Sequence, residues 1–235
     1  MASVTQDAID QIRALIASGE WGPGARLPRE TDLAAQLGLS RNSLREAVRA
    51  LSLIRVLEVR RGDGTYVSSL APDLLLESTL QATDLLPGRA VLELFEVRRL
   101  LEPAAAALAA RRVNDETRAD LRRELDRMFA AGDNVEELVE ADAAFHDVVA
   151  SAPGNAVLRS LLRSLSTRTV RARLWHGMAD TQALDLARAE HTRIYEAVEA
   201  GDAELARAAT TVHIETNERW LREHLEPAQE VPLRP

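Results

Sequence analysis

The stretch Ser40-Arg41-Asn42-Ser43-Leu44-Arg45-Glu46-Ala47-Val48-Arg49-Ala50-Leu51 decides how the N-terminal part of this chain folds. Leu44, Val48 and Leu51 fall at i, i+4 and i+7, one apolar stripe on a short helix. Arg41, Asn42, Ser43, Arg45 and Arg49 occupy the other faces, and Ser40 is placed to accept a bond from a first-turn N–H. Upstream, Glu30 to Leu37 reads as another helix, with Leu33, Ala34 and Leu37 apolar, Pro28 at its entry and Gly38 at its exit. A helix, a tight glycine turn and an arginine-rich helix make a helix-turn-helix, whose second helix enters the DNA major groove. Downstream, Val56 to Arg60 and Thr65 to Val67 read as two strands joined by Arg61-Gly62-Asp63-Gly64. A basic hairpin behind a recognition helix is a wing that reaches the minor groove or the backbone.

The pieces Leu27-Pro28-x-Glu30, Leu33-Ala34, Leu39-Ser40-Arg41, Leu44-Arg45-Glu46-Ala47, Ala50-Leu51 and Gly62-x-Gly64-Thr65-Tyr66-Val67 stand in order over one segment. In that combination the segment resembles the winged-helix domain of the gluconate-repressor (GntR) family of bacterial transcription regulators. The resemblance implies DNA contacts from Arg29, Arg41, Asn42, Ser43, Arg45 and Arg49, with Gly64 and Thr65 at the wing. Three positions depart from the family pattern. Arg29 stands where a small residue is usual, Thr31 where an arginine is usual, and Arg55 where glycine usually ends the recognition helix. At Arg55 the chain therefore either adopts positive φ at a cost or ends the helix differently.

The net charge of −8 looks wrong for a nucleic-acid binder until it is divided. Residues 1–70 hold nine arginines against eight acids, whereas the remainder holds twenty against twenty-nine. The acidity thus belongs to the second part, and local arginine clusters set the field at the phosphates. Every basic residue is arginine, a bias that fits genome composition better than selection at one site. With no cysteine, a disulfide framework and a thiolate metal site are both excluded. No apolar run approaches membrane-spanning length and Met1 to Asp7 lacks a signal peptide's pattern, so a cytoplasmic protein without membrane contact is expected.

In chain order, Asp7 to Ser18 reads as a first helix with Ile9, Ile12, Leu15 and Ile16 on one face, and Trp21-Gly22-Pro23-Gly24 as a turn. Ser68 to Pro72 reads as a linker. From Asp73 onward only helical stripes appear. A helix follows Pro87-Gly88 and runs to Arg112; Asn114 caps the next, closed by Gly132; Asn134-x-x-Glu137 starts one to Ala150. Pro153-Gly154-Asn155 starts another to His176, Asp180 begins the next, and Gly201-Asp202 precedes the last, which ends near Leu225. The expected fold is mainly α: a winged helix-turn-helix with a small β-hairpin over 1–70, then an all-α bundle of about six or seven helices over 73–225. Residues 226–235, with three prolines, read as a loose tail.

Within the bundle, polar residues interrupt apolar stripes. Leu138, Phe145 and Val149 share a face with Asp142 and His146. Leu184, Ala187, Ile194 and Val198 share one with His191, and Leu205, Ala209, Val212 and Thr216 are read as sharing one with His213. A carboxylate or imidazole there is costly unless paired or metal-bound. Asp142-x3-His146 puts two potential ligands of one metal on adjacent turns. Periodicity alone leaves two readings open, hydrogen-bonded core residues or ligands. The pattern Asp142-x3-His146, His191, His213, with Glu96-x-Arg98-x3-Glu102 and Ala152-x-Gly154-Asn155, resembles the all-helical FCD ligand-binding domain of the family's FadR-like branch. That resemblance implies a divalent metal on Asp142, His146, His191 and His213. Nitrogen-rich ligation with one carboxylate suits zinc, with nickel or manganese also possible. His176 and His224, near helix ends, read as surface residues.

Arg98 also lies in a stripe, with Leu94, Leu101, Ala105 and Leu108. It reads either as a buried salt bridge, for example to Glu102, or as a clamp for an anion. A divalent metal with one Asp and three neutral His leaves a site charge near +1, which together with Arg98 favours a small organic acid effector. Asn217, Arg168 and Thr169 are further candidates for that cavity. The whole implies an effector-controlled repressor, a homodimer on an operator with two-fold symmetry in double-stranded DNA, since one winged helix reads only a half-site. A metalloenzyme tethered to DNA and a pure metal sensor are the alternatives. No general base or nucleophile stands out for the first.

Overall fold

The computed structural model describes residues 4–80, 90–179 and 182–224, excepting the side chains of 77–80, 90, 168, 171–173, 175–177 and 179. The chain folds as two compact units, Met1–Ala82 and Thr83–Pro235. No described helix is long and apolar enough to cross a membrane. The expected tail at 226–235 and the start of a helix at Asp180 lie outside the described residues.

The first unit runs α1 (Val4–Ala17), α2 (Glu30–Gln36), α3 (Arg41–Leu53), β1 (Leu57–Arg60), β2 (Gly64–Val67) and α4 (Pro72–Leu80). The Ser43 amide donates to Ser40 Oγ at 3.1 Å, so Ser40 caps α3 as expected, an interaction worth about 1 kcal/mol. The cap of α2 is Arg29, which offers no side-chain bond, so Pro28 lies one residue before the cap rather than inside the first turn. Leu44, Ala47 and Leu51 of α3 close over Ala8 and Ile12 of α1, Leu33 and Ala34 of α2, and Leu57 and Val67 of the hairpin. β1 and β2 are antiparallel, with Leu57 opposite Val67 and Arg60 opposite Gly64. Residues 24–27, which read as a simple turn and lead-in, in fact lie along β2. Gly24 donates to Val67 O at 2.9 Å, Val67 to Ala25 O at 2.8 Å and Leu27 to Thr65 O at 2.8 Å. The segment is too short and too glycine- and proline-rich to read as a strand, yet it covers the outer edge of the wing.

The second unit is six helices: α5 (Ala90–Arg112), α6 (Asp115–Ala130), α7 (Val135–Ser151), α8 (Ala156–Ala179), α9 (Gln182–Glu199) and α10 (Ala203–His224). Asn114 Oδ1 accepts from Thr117 N at 2.8 Å and Asn134 Oδ1 from Glu137 N at 3.2 Å, which starts α6 and α7 where the sequence places them. Pro103 sits inside α5, where a missing N–H is tolerated only because packing holds the helix. The alanines at 105, 106, 107, 109 and 110 are buried to 2% exposure or less, and they allow α10 to approach α5 closely. On α10 the expected inward face is corrected. Leu205 and Val212 are about half exposed, at 53% and 51%, while Ala206, Thr210, His213 and Ile214 are buried. The close approach to an alanine face selects small residues inward, so the larger apolar side chains turn out of the helix pair.

Arg55 adopts φ of +60° just after α3, so the departure from glycine is met by a strained backbone rather than a different helix end. A left-handed non-glycine residue costs about 1–2 kcal/mol. Arg55→Gly should therefore raise the stability of the first unit by about 1 kcal/mol in denaturant melts, whereas Arg55→Ala should leave it unchanged.

Candidate metal centre and nucleic-acid interface

Asp142 and His146 come from adjacent turns of α7, His191 from α9 and His213 from α10. All four are buried, and one ligand atom of each lies within 4.8 Å of every other. His146 Nε2 is 3.2 Å from His213 Nε2 and 3.3 Å from His191 Nε2. Asp142 Oδ1 is 3.1 Å from His191 Nε2 and 3.8 Å from His146 Nε2.

What lies behind each ring fixes its tautomer. His191 Nδ1 faces the Ala187 carbonyl at 2.7 Å, His146 Nδ1 faces Glu102 Oε2 at 3.2 Å, and His213 Nδ1 faces Glu190 Oε2 at 2.9 Å. All three partners accept, so each Nδ1 carries its proton and donates. In the neutral rings the three Nε2 lone pairs then converge on one another and on a carboxylate oxygen. A buried set of acceptors at that spacing repels itself unless a cation lies among them. The donor set therefore fits a metal ion, with Glu102, the Ala187 carbonyl and Glu190 orienting the ligands from behind.

The outer layer is itself anchored. Arg98 Nε donates to Glu102 Oε1 at 2.5 Å, Nη2 to Oε2 at 3.4 Å, and Nη1 to Thr169 Oγ1 at 2.9 Å. Burial pushes the Glu102 carboxyl up, but the Arg98 charge and hydrogen bonds override this and bring it down to about 2. Glu190 is shared, its other oxygen accepting from Thr216 Oγ1 at 2.8 Å. Burial lowers the His146 imidazole well below its ordinary value, against the pull of Glu102. Burial and the neighbouring His191 bring His213 down to about 4, against Glu190. Both rings are thus held neutral, the form that ligates.

The other residues expected at this site are less uniformly placed. Arg98, which reads as a salt bridge or a clamp, forms the salt bridge to Glu102, yet its guanidinium has five N–H groups and three are used. Asn217 is half-buried one turn beyond His213, with Nδ2 donating to the His213 carbonyl at 3.1 Å. The side chains of Arg168 and His176 lie outside the described residues. His224 ends α10, stacked on Trp220. Glu190 is not singled out by the sequence reading, although Ala187, Glu190, His191 and Ile194 fall at i, i+3, i+4 and i+7 and mark it as inward-facing.

On the first unit, Arg29, Arg41, Asn42, Arg45 and Arg49 are exposed, and Ser43, Gly64 and Thr65 half-exposed. Arg45 Nη2 donates to Glu30 Oε1 at 2.9 Å and Arg49 Nη1 to Glu46 Oε1 at 2.7 Å. Such exposed pairs contribute about 0–1 kcal/mol and so release their arginines cheaply. The Ser43 hydroxyl lies 2.9 Å from that of Ser40. At the wing, Arg26 bonds the Asp63 carbonyl, Tyr66 OH donates to Asp63 Oδ2 at 2.8 Å, and the Arg60 guanidinium lies 4.2 Å from the centre of the Tyr66 ring.

Known proteins share both halves of this arrangement. Residues 4–67 match the family described as bacterial regulatory proteins, gntR family, and residues 93–216 match the FCD domain. The chain belongs to the gntR family of bacterial regulatory proteins. It is 35% identical over 221 residues to the HTH-type transcriptional regulator LutR of Bacillus subtilis (strain 168), covering 90% of this chain and 98% of that one. It is 32% identical over 216 residues to the galactonate operon transcriptional repressor of Escherichia coli (strain K12), covering 88% and 92%. Among solved structures, Streptococcus agalactiae GntR is similar with a TM-score of 0.66 and 32% identity, over 93% of this chain and 100% of that one. This regulator of the FadR-like branch is thus a DNA-binding transcription regulator, and its relatives include repressors.

The lowered imidazoles set a pH dependence. Above about 6.5 they are neutral folded or unfolded; as pH falls from there towards 4 the unfolded chain takes up protons that the folded one refuses. The chelator-treated protein should therefore melt at progressively lower temperature from pH 6.5 to pH 4. Zinc should raise the melting temperature more at pH 7.5 than at pH 5.5, because protons compete for the rings. A melting temperature independent of pH and chelator would return these histidines to ordinary core duty.

Proposed function

We propose that this regulator is a homodimeric repressor whose C-terminal domain holds a divalent transition metal, most suitably zinc, on Asp142, His146, His191 and His213. In this reading residues 1–70 bind a two-fold symmetric operator and residues 73–225 sense a small carboxylate at the metal. The observation that carries the metal is the convergence of three Nε2 atoms backed by acceptors at every Nδ1. When bound, the metal would supply a Lewis-acid position for an effector oxygen. The effector class rests on charge: a net positive centre beside Arg98, with two guanidinium N–H groups beyond those given to Glu102 and Thr169. Asn217, one turn from His213, adds an amide on the same helix. The relative from Escherichia coli is named as a repressor of a galactonate operon, which accords with an organic acid as signal.

For the DNA interface, Arg41, Asn42, Arg45 and Arg49 of α3 would enter the major groove, with Arg29 and the wing at Gly64 and Thr65 on the flanks. Dimerisation supplies the second half-site, and the effector acts by its differential affinity for the operator-bound and free arrangements.

Arg45→Ala should cost about 1–3 kcal/mol on the cognate operator and relax preference at one base pair, while Arg41→Ala should weaken all sequences alike and flatten the salt dependence. A Cβ on Gly64 would come within 2.9 Å of Arg26 Nε, displacing the guanidinium that bonds Asp63. Gly64→Ala should thus alter the wing footprint without removing charge. Binding by Arg45→Ala equal to the parent's at all salt concentrations would refute the recognition-helix assignment.

His191→Ala should lose bound metal and the response to D-galactonate or L-lactate, used as test acids, yet retain operator binding. A parent protein that releases DNA on zinc alone, at fixed acid concentration, would favour a pure metal sensor instead.

A further inference from the structure

A cavity of about 300 Å³ lies in the second unit between α5, α7 and α8, closed at its floor by α9 and α10. It is not the space beside Arg98. Neither Arg98 nor Asn217 lines it, and of the four candidate metal ligands only His146 does. Ala105, Val149 and Ile194 form its apolar interior, each one turn further along its helix from Glu102, His146 and His191 respectively. The volume sits at the lower end of the range for small-ligand pockets.

Thr210 gives the cavity a purpose. Its side chain is 1% exposed, it lines the cavity, and its hydroxyl has no hydrogen-bond partner. Helical threonines usually turn the hydroxyl back onto the carbonyl four residues earlier, as Thr192, Thr211 and Thr216 do here at 2.8, 2.9 and 2.9 Å. Thr210 does not make that bond. A buried hydroxyl that declines its own backbone and faces a cavity is a donor and acceptor waiting for a ligand atom.

Charge orders the rest. Asp147, on the lining, is held by Arg159 through bonds of 3.1 and 2.7 Å. Glu102 is bound to Arg98 and His146. Arg163 also lines the cavity; it is exposed and makes no ion pair among the described residues. The uncommitted charge is therefore a cation at the exposed side, with a carboxylate, Glu102, in the wall. An anionic head is favoured at Arg163 and disfavoured beside Glu102.

We propose that this cavity is a second small-molecule site, distinct from the metal-side effector position, that takes a short hydroxy acid with its carboxylate on Arg163 and its hydroxyl on Thr210. The chain of the acid lies against Ala105, Val149 and Ile194. Because Glu102 and His146 form part of the wall, occupancy is felt at the metal centre through the residue that orients His146. The site itself needs no metal.

The test is saturation-transfer NMR and calorimetry on the full chain in excess chelator, with 4-hydroxybutyrate and butyrate as probes. Both acids should bind, the hydroxy acid more tightly. Arg163→Gln, and Ala144→Leu at the lining, should each abolish both signals. Thr210→Val should weaken 4-hydroxybutyrate about tenfold, to the level of butyrate, and leave butyrate unchanged. Since the Thr210 hydroxyl serves no protein partner, Thr210→Val should melt no lower than the parent, which separates loss of a contact from loss of fold. No binding of either acid in chelator overturns the proposal. So does binding indifferent to Arg163→Gln and Ala144→Leu, or binding that appears only when zinc is restored, which would place the acid at the metal centre and leave the metal reading standing.

Discussion

Three imidazole nitrogens and a carboxylate oxygen are brought to one buried point with no proton donor among them in the neutral state. In water each would be hydrated; inside a helical bundle the alternatives are a cation, or a proton taken up at a raised free energy. Much of the second unit can be read as support for that point. α7 supplies two ligands, α9 and α10 one each, and α5 supplies Glu102, which holds His146 from behind. Glu102 is an ionised carboxylate in the interior only because Arg98 lies against it, and Arg98 is steadied in turn by Thr169 of α8. Removing one member of such a buried pair costs about 3–5 kcal/mol, since its partner is left charged and alone. The series Thr169, Arg98, Glu102, His146 is thus one physical unit drawn from three helices.

The ends of the helices are legible in the sequence because caps are local. Ser40, Asn114 and Asn134 each satisfy amides within their own first turn, and nothing distant changes that. The four clustered residues are legible for a related reason: a charged or imidazole side chain in an apolar stripe announces that it is either paired or ligating. Less visible is anything set by the fit between helices. Leu205 and Val212 look like core residues and face outward, because α10 meets an alanine-rich α5 and the close approach excludes large side chains. Glu190 is hidden beside His191, the more conspicuous interruption of the same stripe. Residues 24–27 cannot be read as pairing with β2, since backbone bonds leave no trace in side-chain periodicity.

The first unit presents a different balance. Its arginines are exposed and several carry local acids, Arg45 with Glu30 and Arg49 with Glu46. In high dielectric such pairs are weak, and a phosphate or a guanine edge competes readily for the same guanidinium. The acids therefore cost little affinity while keeping the long side chains in a restricted set of positions before DNA arrives. Arg26, Asp63, Tyr66 and Arg60 do the same for the wing, where a phenol and a carboxylate hold two guanidinium groups around one hairpin turn.

Arg98 limits how an acid could be sensed beside the metal. If the effector carboxylate displaced Glu102 from Arg98, Glu102 would be left as a buried unpaired anion and His146 would lose the acceptor that fixes its tautomer. Metal affinity would then fall as the effector bound, and by linkage the metal would weaken the effector equally. An effector that uses the two remaining N–H groups of Arg98 avoids that conflict: Glu102 stays ionised, His146 keeps Nδ1–H, and the metal retains its ligands. The second arrangement makes metal and acid bind cooperatively, because the acid's charge then stabilises a cationic centre that stays intact. A sensor that must respond to an acid while keeping its metal can use only the second.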